Sequence, residues 1–298
     1  MNNINIKAKK SLGQNFLKSK KALSDMLSAG EVGENDIVLE AGPGKGVLTE
    51  ELLKKAGKVI AVEKDDVLVE FLRQKFSAEI ASGKLQLVHG DILEFNPATY
   101  HLQPKTYNLP LTTYHLQPTT FSSQPTTFKL IANIPYYITG QFLRKFLSGD
   151  IQPSKMVILL QKEVVKRIMA NDGKESILSI SVKAYGRPKN VGKVSKENFS
   201  PKPKVDSAIL LIDNISRDFF KDIASEEKFF QIVKAGFAHK RKLLARNIEH
   251  LAKDKEQIEK IFKNCGIPPK ARAEDLKIEQ WKCLSFVNYE TPLFAEHA

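Results

Sequence analysis

The chain has 298 residues, 42% of them hydrophobic, which is enough for one large domain and a smaller second domain. Its 46 lysines and arginines exceed its 34 aspartates and glutamates by 12, and this basic balance indicates a nucleic-acid partner. No apolar run approaches the length of a membrane span, and residues 1–10 lack the apolar core of a signal peptide, so we expect neither membrane insertion nor export.

The two cysteines, Cys265 and Cys283, lie close to the C-terminus. We expect them to be reduced thiols of a cytoplasmic protein, because structural disulfides are rare in that compartment. No cluster of cysteine and histidine suggests a metal site. We also expect the protein to act as a monomer.

The N-terminal segment is basic. Residues 7–21 contain six lysines and no acidic residue, and the run LGQNFL occupies positions 12–17. A purely solvated arm would not need Phe16 and Leu17, so we expect this segment to dock against the body of the protein. A frayed terminus is the alternative. A helix is predicted from about 19 to 29.

A glycine-rich turn follows the first predicted strand, residues 37–39. The strand ends at Glu40, glycines follow at positions 42, 44 and 46, and apolar residues then recur with helical spacing. Such a corner lets a ligand approach the backbone closely. Val47 stands where the dinucleotide fingerprint needs its third glycine, so a ligand without a phosphate, such as S-adenosylmethionine (SAM), is favoured. Another nucleotide, or no ligand at all, stays open on this motif alone.

Acidic residues end the next two predicted strands. Glu63 follows the strand at 59–62 and lies 21 positions after Gly42, a spacing at which an acid accepts hydrogen bonds from both hydroxyls of a ribose. Asp91 follows the strand at 85–88 and is placed to accept from an adenine amino group. A surface acid and a helix cap are the respective alternatives. With a helix at 66–76, the β-α-β-α-β order predicts a doubly wound, parallel α/β sheet.

Residues 97–128 differ from the rest of the chain. TYHLQP occurs at 99–104 and 113–118, PTTF occurs at 118–121 and 125–128, and Lys105 is the only charged residue. We interpret the stretch as a low-complexity insertion that loops out of the domain. No metal site is expected at His101 and His115, because no second cluster of ligands accompanies them.

A second chemical centre follows the strand predicted at 129–132. Asn133, Pro135 and Tyr136, within NIPYY, would form a rigid slot at the carboxyl end of that strand. The side-chain oxygen of Asn133 and the carbonyls around Pro135 can accept from an exocyclic amine, and Tyr136 offers a face for a base. A turn with buried aromatic rings is the alternative.

A further strand at 156–160 and a helix at 161–169 lead to a second basic stretch, residues 187–204. The segment FSPKPKVDS, at 199–207, begins inside this stretch and extends three residues past its end. The prolines hold this loop extended. Phe199, an aromatic ring among lysines, is expected to be exposed and to stack on a base, although a loop phenylalanine can instead plug a local core. The final strand, 208–212, is expected to pair with 191–194 at the sheet edge.

From about residue 218 the pattern is helical throughout, with helices predicted near 226–238, 241–252, 255–264 and 274–286. We therefore predict a domain at 1–216, containing the insertion at 97–128, and a small all-α RNA-binding domain at 217–298. Residues 239–242 with Arg246 give that domain a basic end suited to phosphates. A solvated charge run is the alternative.

These motifs, in this order, closely resemble those of the KsgA-type ribosomal RNA adenine dimethyltransferases. The matching segments are 12–17, 40–46, 63, 90–91, 133–137, 161–164, 199–207, 240–242 and 269–276. The resemblance runs from about residue 7 to 287 without the insertion. It implies a Rossmann-like SAM-dependent methyltransferase sheet with helices on both faces, followed by the small all-α domain.

The resemblance also implies the reaction and its residues. SAM would be held by Asn15, Leu17, Gly42, Glu63, Asp91 and Asn133, to which we add Gln14, Gly44 and Ile92. The adenine would be held by Asn133, Pro135, Tyr136 and Phe199. The product would be dimethylation at N6 of two adjacent adenines in the 3′-terminal hairpin of small-subunit (16S) rRNA, within the immature small ribosomal subunit. No metal is implied.

Three alternatives stay open. Erm-type methyltransferases of 23S rRNA share most of the catalytic motifs, although residues 269–276 favour the KsgA type. A non-catalytic ribosome-assembly or RNA-binding factor could use the same fold, and the insertion between Asp91 and Asn133 argues weakly for it. A DNA adenine methyltransferase would usually have a second proline where Ile134 stands.

Overall fold

The computed structural model describes residues 8–100, 102 and 127–287, and its contacts divide the chain into two compact units. One unit comprises the chain up to Val165 together with Lys189–Ile215. The other comprises Lys166–Pro188 together with the chain from Ser216. The prediction had assigned residues 166–188 to the first domain, whereas their contacts group them with the helical unit.

The described residues form nine strands and eleven α-helices. The strands are β1 Phe16–Leu17, β2 Ile37–Ala41, β3 Lys58–Glu63, β4 Leu85–His89, β5 Phe128–Asn133, β6 Lys155–Gln161, β7 Arg187–Val194, β8 Phe199–Ser200 and β9 Ser207–Asp213. The helices are α1 Lys20–Gly30, α2 Val47–Leu53, α3 Asp66–Lys75, α4 Ser77–Ala81, α5 Thr139–Ser148, α6 Lys162–Met169, α7 Ile177–Lys183, α8 Ile223–Gly236, α9 Leu244–Ile248, α10 Lys255–Asn264 and α11 Ile278–Phe286.

Seven strands form one sheet in the order β4-β3-β2-β5-β6-β9-β7. Strand β2 pairs in parallel with β3 and with β5, and β6 pairs with β9 antiparallel. The predicted mostly parallel α/β sheet is confirmed, as is the pairing of the last strand with the edge strand. Strands β2, β3 and β6 are buried along almost their whole length, as expected for a sheet covered on both faces.

The order of the strands determines where a ligand can bind. The chain adds β3 and β4 on one side of β2 and then places β5 on the other side, so the direction reverses between β2 and β5. A crevice opens at such a switch point, beyond the carboxyl ends of the strands. Ala41 is in register with Ala132 across this point. The glycine turn after β2 and the Asn133 slot after β5 are therefore neighbours.

The N-terminal segment docks as predicted. Strand β1 pairs antiparallel with β8, with Phe16 opposite Ser200 and Leu17 opposite Phe199. The Lys18 N–H adds a hydrogen bond of 2.8 Å to the Asn198 carbonyl. Helix α1 then begins one residue after Ser19, whose hydroxyl accepts the Ala22 N–H. Residues 1–7 lie outside the described part.

Both ends of the predicted insertion belong to the folded domain. Pro97–Tyr100 form a 3-10 turn in which the Tyr100 ring stacks on Phe95 at 4.7 Å, and Leu102 is fully buried. At the other end, Phe128 is buried and begins β5. Residues 101 and 103–126, with His101, Lys105 and His115, lie outside the described residues, so the predicted loop there stays a prediction.

The helical unit has its own core around Trp281, whose ring is fully buried and stacks on Phe237 at 5.6 Å. Two predicted helices are shorter than expected. Helix α9 begins only at Leu244 and passes into a 3-10 turn, and α11 begins at Ile278 after a turn closed by the Asp275 side chain on the Arg272 N–H. None of the described helices combines the length and apolar character needed to cross a bilayer.

Cys265 and Cys283 form a disulfide, so the expectation of two reduced thiols is wrong for this structure. Cys265 caps the end of α10 and Cys283 lies within α11. Both cysteines pack in the core cluster of the helical unit, and their Cα atoms lie 5.7 Å apart although 18 positions separate them in the chain. Sequence spacing alone does not reveal such a juxtaposition.

Removing the disulfide is expected to destabilise the helical unit. A closed loop of this length lowers the entropy of the unfolded chain enough to contribute about 3 kcal/mol. We expect Cys283→Ala and reductant-treated wild type to show the same lowered Tm by calorimetry. Reductant should have no effect on the variant. An unchanged Tm of the wild type in reductant would contradict this prediction.

Candidate active site

A cavity of about 200 Å³ lies at the switch point. Four parts of the first unit line it: the N-terminal segment, the glycine turn after β2, the ends of β3 and β4, and the turn after β5. Of the predicted site residues, the following line the cavity: Gln14, Asn15, Leu17, Gly42, Gly44, Glu63, Asp91, Ile92, Asn133, Pro135 and Tyr136. Phe199 is not among them. The structure thus brings five separate sequence segments to one place: 12–17, 40–46, 63, 90–91 and 133–137.

Glu63 organises the backbone beside the cavity. One carboxylate oxygen accepts the Gly44 N–H at 3.0 Å, and the other accepts the N–H groups of Lys64 and Asp65, both at 2.9 Å. Burial raises the pKa of Glu63, and these three N–H groups oppose that rise. A carboxylate has about four acceptor positions, so one remains for a further donor such as a hydroxyl.

Lys64, which the sequence analysis did not single out, forms an ion pair with Asp91 at 2.7 Å. Both residues line the cavity. The second oxygen of Asp91 accepts the Leu93 N–H at 2.9 Å. Burial tends to raise the pKa of Asp91, but the Lys64 ammonium and this N–H hold it below its usual value. The carboxylate therefore stays ionised and able to accept hydrogen bonds.

Asn133 is oriented by the N-terminal segment. Its side-chain nitrogen donates to the Asn15 carbonyl at 3.1 Å, and the Asn15 side chain donates to the Gly13 carbonyl at 3.0 Å. With the nitrogen engaged in this way, the Asn133 oxygen is the atom available to accept from a ligand. Pro135 holds the following turn at φ −58°.

Two tyrosines follow the proline with different environments. Tyr136 is half-buried, and its hydroxyl lies 2.7 Å from the buried Ser207 hydroxyl. Burial raises the pKa of Tyr136, so it is protonated at neutral pH. Tyr137, to which the sequence assigned no role beyond the NIPYY motif, is 65% exposed at the cavity rim, and its ring lies against Gly13.

Phe199 is buried, contrary to the expected exposure. Only 2% of the residue is accessible, and it belongs to the core cluster that contains Leu17, its partner across the β1–β8 ladder. Pairing of the two short strands turns the ring inward, whereas the surrounding lysines had suggested a solvent-facing loop. The structure therefore matches the alternative of a local core plug, and stacking on a base stays a prediction.

Positive backbone angles explain two of the glycines. Gly44 has φ +59°, and a Cβ placed on it would lie 3.0 Å from the Phe16 ring. Gly46 has φ +73°, and a Cβ there would lie 2.6 Å from the Phe76 ring. A side chain at either position would strain the turn and displace an aromatic ring. The N-terminal segment therefore packs directly on the glycine turn.

Glu40, which the sequence pattern marks as the end of the first strand, is a buried acid in the cavity wall. It is 1% exposed, and its Oε2 has no hydrogen-bond partner among the described residues. Burial raises the pKa of Glu40 to about 8; Glu63 adds to this shift, whereas Thr49 and Lys75 oppose it. The carboxyl is therefore largely protonated at neutral pH.

This shift makes stability depend on pH. The folded state keeps a proton that the unfolded chain releases above the ordinary value of 4.5, so Glu40 lowers the free energy of unfolding as the pH rises from 4.5 to about 8. We expect Glu40→Gln to have nearly the same Tm as wild type near pH 4.5. As the pH rises towards about 8, the Tm of the variant should exceed that of wild type by an increasing amount. Thermal unfolding without ligand measures this. A Tm difference that is constant with pH would contradict the raised pKa.

The family described as ribosomal RNA adenine dimethylase matches residues 5–289. The chain belongs to this family. A Dehalococcoides mccartyi protein named ribosomal RNA small subunit methyltransferase A is 40% identical over 293 residues, covering 98% of this chain and 92% of its own. A Clostridium botulinum protein of the same name is 33% identical over 292 residues, covering 97% of each chain.

Solved structures agree on the fold. The 23S rRNA methyltransferase ErmE has a TM-score of 0.71 at 24% identity and covers 91% of this chain and 98% of its own. A dimethyladenosine transferase from Plasmodium falciparum has a TM-score of 0.68 at 24% identity, with coverages of 90% and 96%. The Rossmann-like methyltransferase sheet predicted from sequence is confirmed.

Family membership identifies the chain as an enzyme, a SAM-dependent adenine dimethyltransferase of ribosomal RNA. Membership in this family argues against two of the alternatives, a DNA adenine methyltransferase and a non-catalytic ribosome-assembly or RNA-binding factor. The cavity suits the donor: of its three acidic residues, Glu63 and Asp91 can accept from hydroxyl and amino groups, and its glycine turn leaves room at the backbone.

Proposed function

We propose that this enzyme dimethylates N6 of two adjacent adenines in the 3′-terminal hairpin of small-subunit rRNA, acting on the immature small ribosomal subunit as a cytoplasmic monomer. The names of the relatives support the small subunit as the target. The observation that carries the proposal is the register of β2 with β5, because it sets the Asn133 slot beside the glycine turn. The Asn133 oxygen, which would accept a hydrogen bond from adenine N6, would therefore lie one strand away from the proposed SAM site.

The donor, SAM, would lie along the glycine turn, with Glu63 accepting from its ribose and Asp91 from its adenine amino group. Ile92 and Leu17, both buried and both in the cavity wall, would supply apolar contact to the adenine and the methionine parts. Gln14 and Asn15 would close the site from the N-terminal segment. Bound there, SAM supplies an activated methyl group on a sulfonium.

The target adenine would be held at the Asn133 slot. Its N6 lone pair is delocalised into the ring, so the amine is a poor nucleophile. Hydrogen bonds from N6–H to the Asn133 oxygen and to a carbonyl in the turn before Pro135 would favour a pyramidal nitrogen. They would also stabilise the positive charge that develops on N6 during transfer. The methyl group is already activated by the sulfonium, so the step needs no metal, and the N6 proton would leave to water after transfer.

Aromatic side chains would hold the extruded base. Tyr136 lines the cavity and its hydroxyl is hydrogen-bonded to Ser207, so its ring would offer a fixed face to the base. Phe199 would form the other face of the sandwich, which requires its ring to leave the buried position that it occupies here. An adenine in an A-form stem is inaccessible, so the target must be a loop or a hairpin end.

Exposed basic residues would hold the RNA backbone. In the first unit, Lys193, Lys202 and Lys204 are exposed near the loop before β9. In the helical unit, all of residues 239–242 are exposed. Phosphate contacts of this kind release counterions, so the affinity for rRNA should fall steeply with salt.

The deciding experiment is transfer of tritiated methyl groups from SAM to immature small subunits that lack the modification, with naked large-subunit RNA in parallel. Label on two adjacent small-subunit adenines supports the proposal. Label only on large-subunit RNA would show that the enzyme acts on the Erm-type substrate by the same methyl transfer. Binding of SAM without label on either substrate would overturn the proposed activity.

A further inference from the structure

The N-terminal segment, here residues 9–18, forms one wall of the cofactor cavity and is attached to three other elements. Asn133 donates to its Asn15 carbonyl, β1 pairs with β8, and its Phe16 ring packs on Gly44. Each of these contacts lies in the middle or at the end of the segment. None of these three contacts involves residues 9–14, the first part of the segment.

Asp65 holds that beginning. Its side chain is only 3% exposed, and one oxygen accepts the Lys9 ammonium at 2.7 Å while the other accepts the Gln14 side-chain nitrogen at 2.9 Å. The Gln14 oxygen in turn accepts the backbone N–H of Lys9 at 2.7 Å. Lys9, Gln14 and Asp65 thus form a closed cycle of hydrogen bonds.

Asp65 is also hydrogen-bonded to Glu63, the acid proposed to bind SAM. The Asp65 N–H donates to Glu63 at 2.9 Å, in the carboxylate that also orders the glycine turn. Asp65 further caps α3 by accepting the Val67 N–H at 3.0 Å. One buried carboxylate therefore connects the end of β3, the start of α3 and the N-terminal segment.

We propose that Asp65 is a positioning residue for methyl transfer: by binding Lys9 and Gln14 it holds the N-terminal segment in place as a wall of the SAM site. This inference rests on the proposed function, because it assumes that SAM occupies the cavity. Asp65 itself does not line the cavity and acts through Gln14 and Glu63, which do.

The electrostatics agree with this role. Burial tends to raise the pKa of Asp65, but Lys9 and Gln14 outweigh burial and hold the pKa below its ordinary value. The hydrogen bond to Asp65 raises the pKa of Lys9. The contact is therefore between two ionised groups at neutral pH, and charge-assisted hydrogen bonds are stronger than neutral ones.

The test measures SAM binding by calorimetry, together with KM and kcat, for Asp65→Asn and Lys9→Met. Asparagine still caps α3 but lacks the charge, so we expect SAM affinity to fall about tenfold with kcat within about twofold. Lys9→Met leaves the cap untouched and should weaken SAM binding about threefold. Because both changes break the same ion pair, the double variant should bind SAM no more weakly than Asp65→Asn alone.

Asp36→Asn is the matched control. Asp36 also accepts a lysine ammonium, that of Lys129, and a backbone N–H, that of Gly33, each at 2.7 Å, but it lies outside the cavity wall. It should lower Tm and leave SAM affinity unchanged. If Asp65→Asn and Lys9→Met behave like this control, the positioning role is wrong. If the wild type itself fails to bind SAM, the proposed function fails instead.

Discussion

Asn133→Ala is expected to lower kcat by about a hundredfold or more, because it removes the oxygen that would accept from adenine N6–H. A preorganised partner for a charge that develops in the transition state is typically worth a factor of 10² to 10³ in kcat. SAM affinity should fall much less, since among the described residues the lost nitrogen donates a single hydrogen bond, to the Asn15 carbonyl. Single-turnover methylation of small subunits, with SAM binding measured separately, gives both quantities.

Asn133→Asp separates the two roles of this side chain. It keeps an acceptor oxygen for N6–H but loses the donor to Asn15. We expect its SAM affinity to match that of Asn133→Ala and its kcat to lie clearly above it. Equal kcat values for the two variants would show that the oxygen is not the catalytic atom.

Glu63→Gln is expected to weaken SAM binding by about a hundredfold or more. The carboxylate accepts three backbone N–H groups, and an amide would direct its own N–H₂ group at one or two of them. Each buried donor left unpaired costs about 1–3 kcal/mol, and the predicted bond to a ribose hydroxyl is weakened as well. Calorimetric titration with SAM measures the loss, and thermal unfolding measures the accompanying decrease in Tm.

The Asp36→Asn variant again serves as the control for Glu63→Gln, because it removes a carboxylate from an ion pair and a backbone N–H outside the cavity. A variant at Glu63 that loses stability but binds SAM within about threefold of wild type would limit Glu63 to shaping the glycine turn. The predicted contact with the ribose would then be wrong.

Local patterns predicted the elements of the site well, because each one follows from short-range chemistry. The glycines at 42, 44 and 46 have positive φ, as a tight turn after a strand requires. The strand that ends at Glu63 and the strand that ends in the Asn133 slot are both present. Parallel strands place their carboxyl ends on one edge, so these motifs could be expected to meet.

The errors concern residues whose environment depends on distant parts of the chain. Phe199 is buried because β8 pairs with β1, some 180 positions earlier. Cys265 reaches Cys283 because both residues pack in the core cluster of the helical unit. The ion pair of Lys64 could not be predicted from local sequence, because its partner Asp91 is 27 positions away. Periodicity and composition carry information about residues within the same turn or strand. The partners of Phe199, Cys265 and Lys64 all lie much farther away in the sequence.

The sequence by itself determined the class of sheet and which motifs stand at the ends of its strands, since spacing along strands and turns is a local property. It also predicted the residues of the cofactor and adenine sites. Only the tertiary structure decided which side chains are buried, which carboxylates keep a proton and which residue holds the N-terminal segment. Glu40, Asp65 and Phe199 illustrate this, because burial and pKa depend on every atom packed around a group.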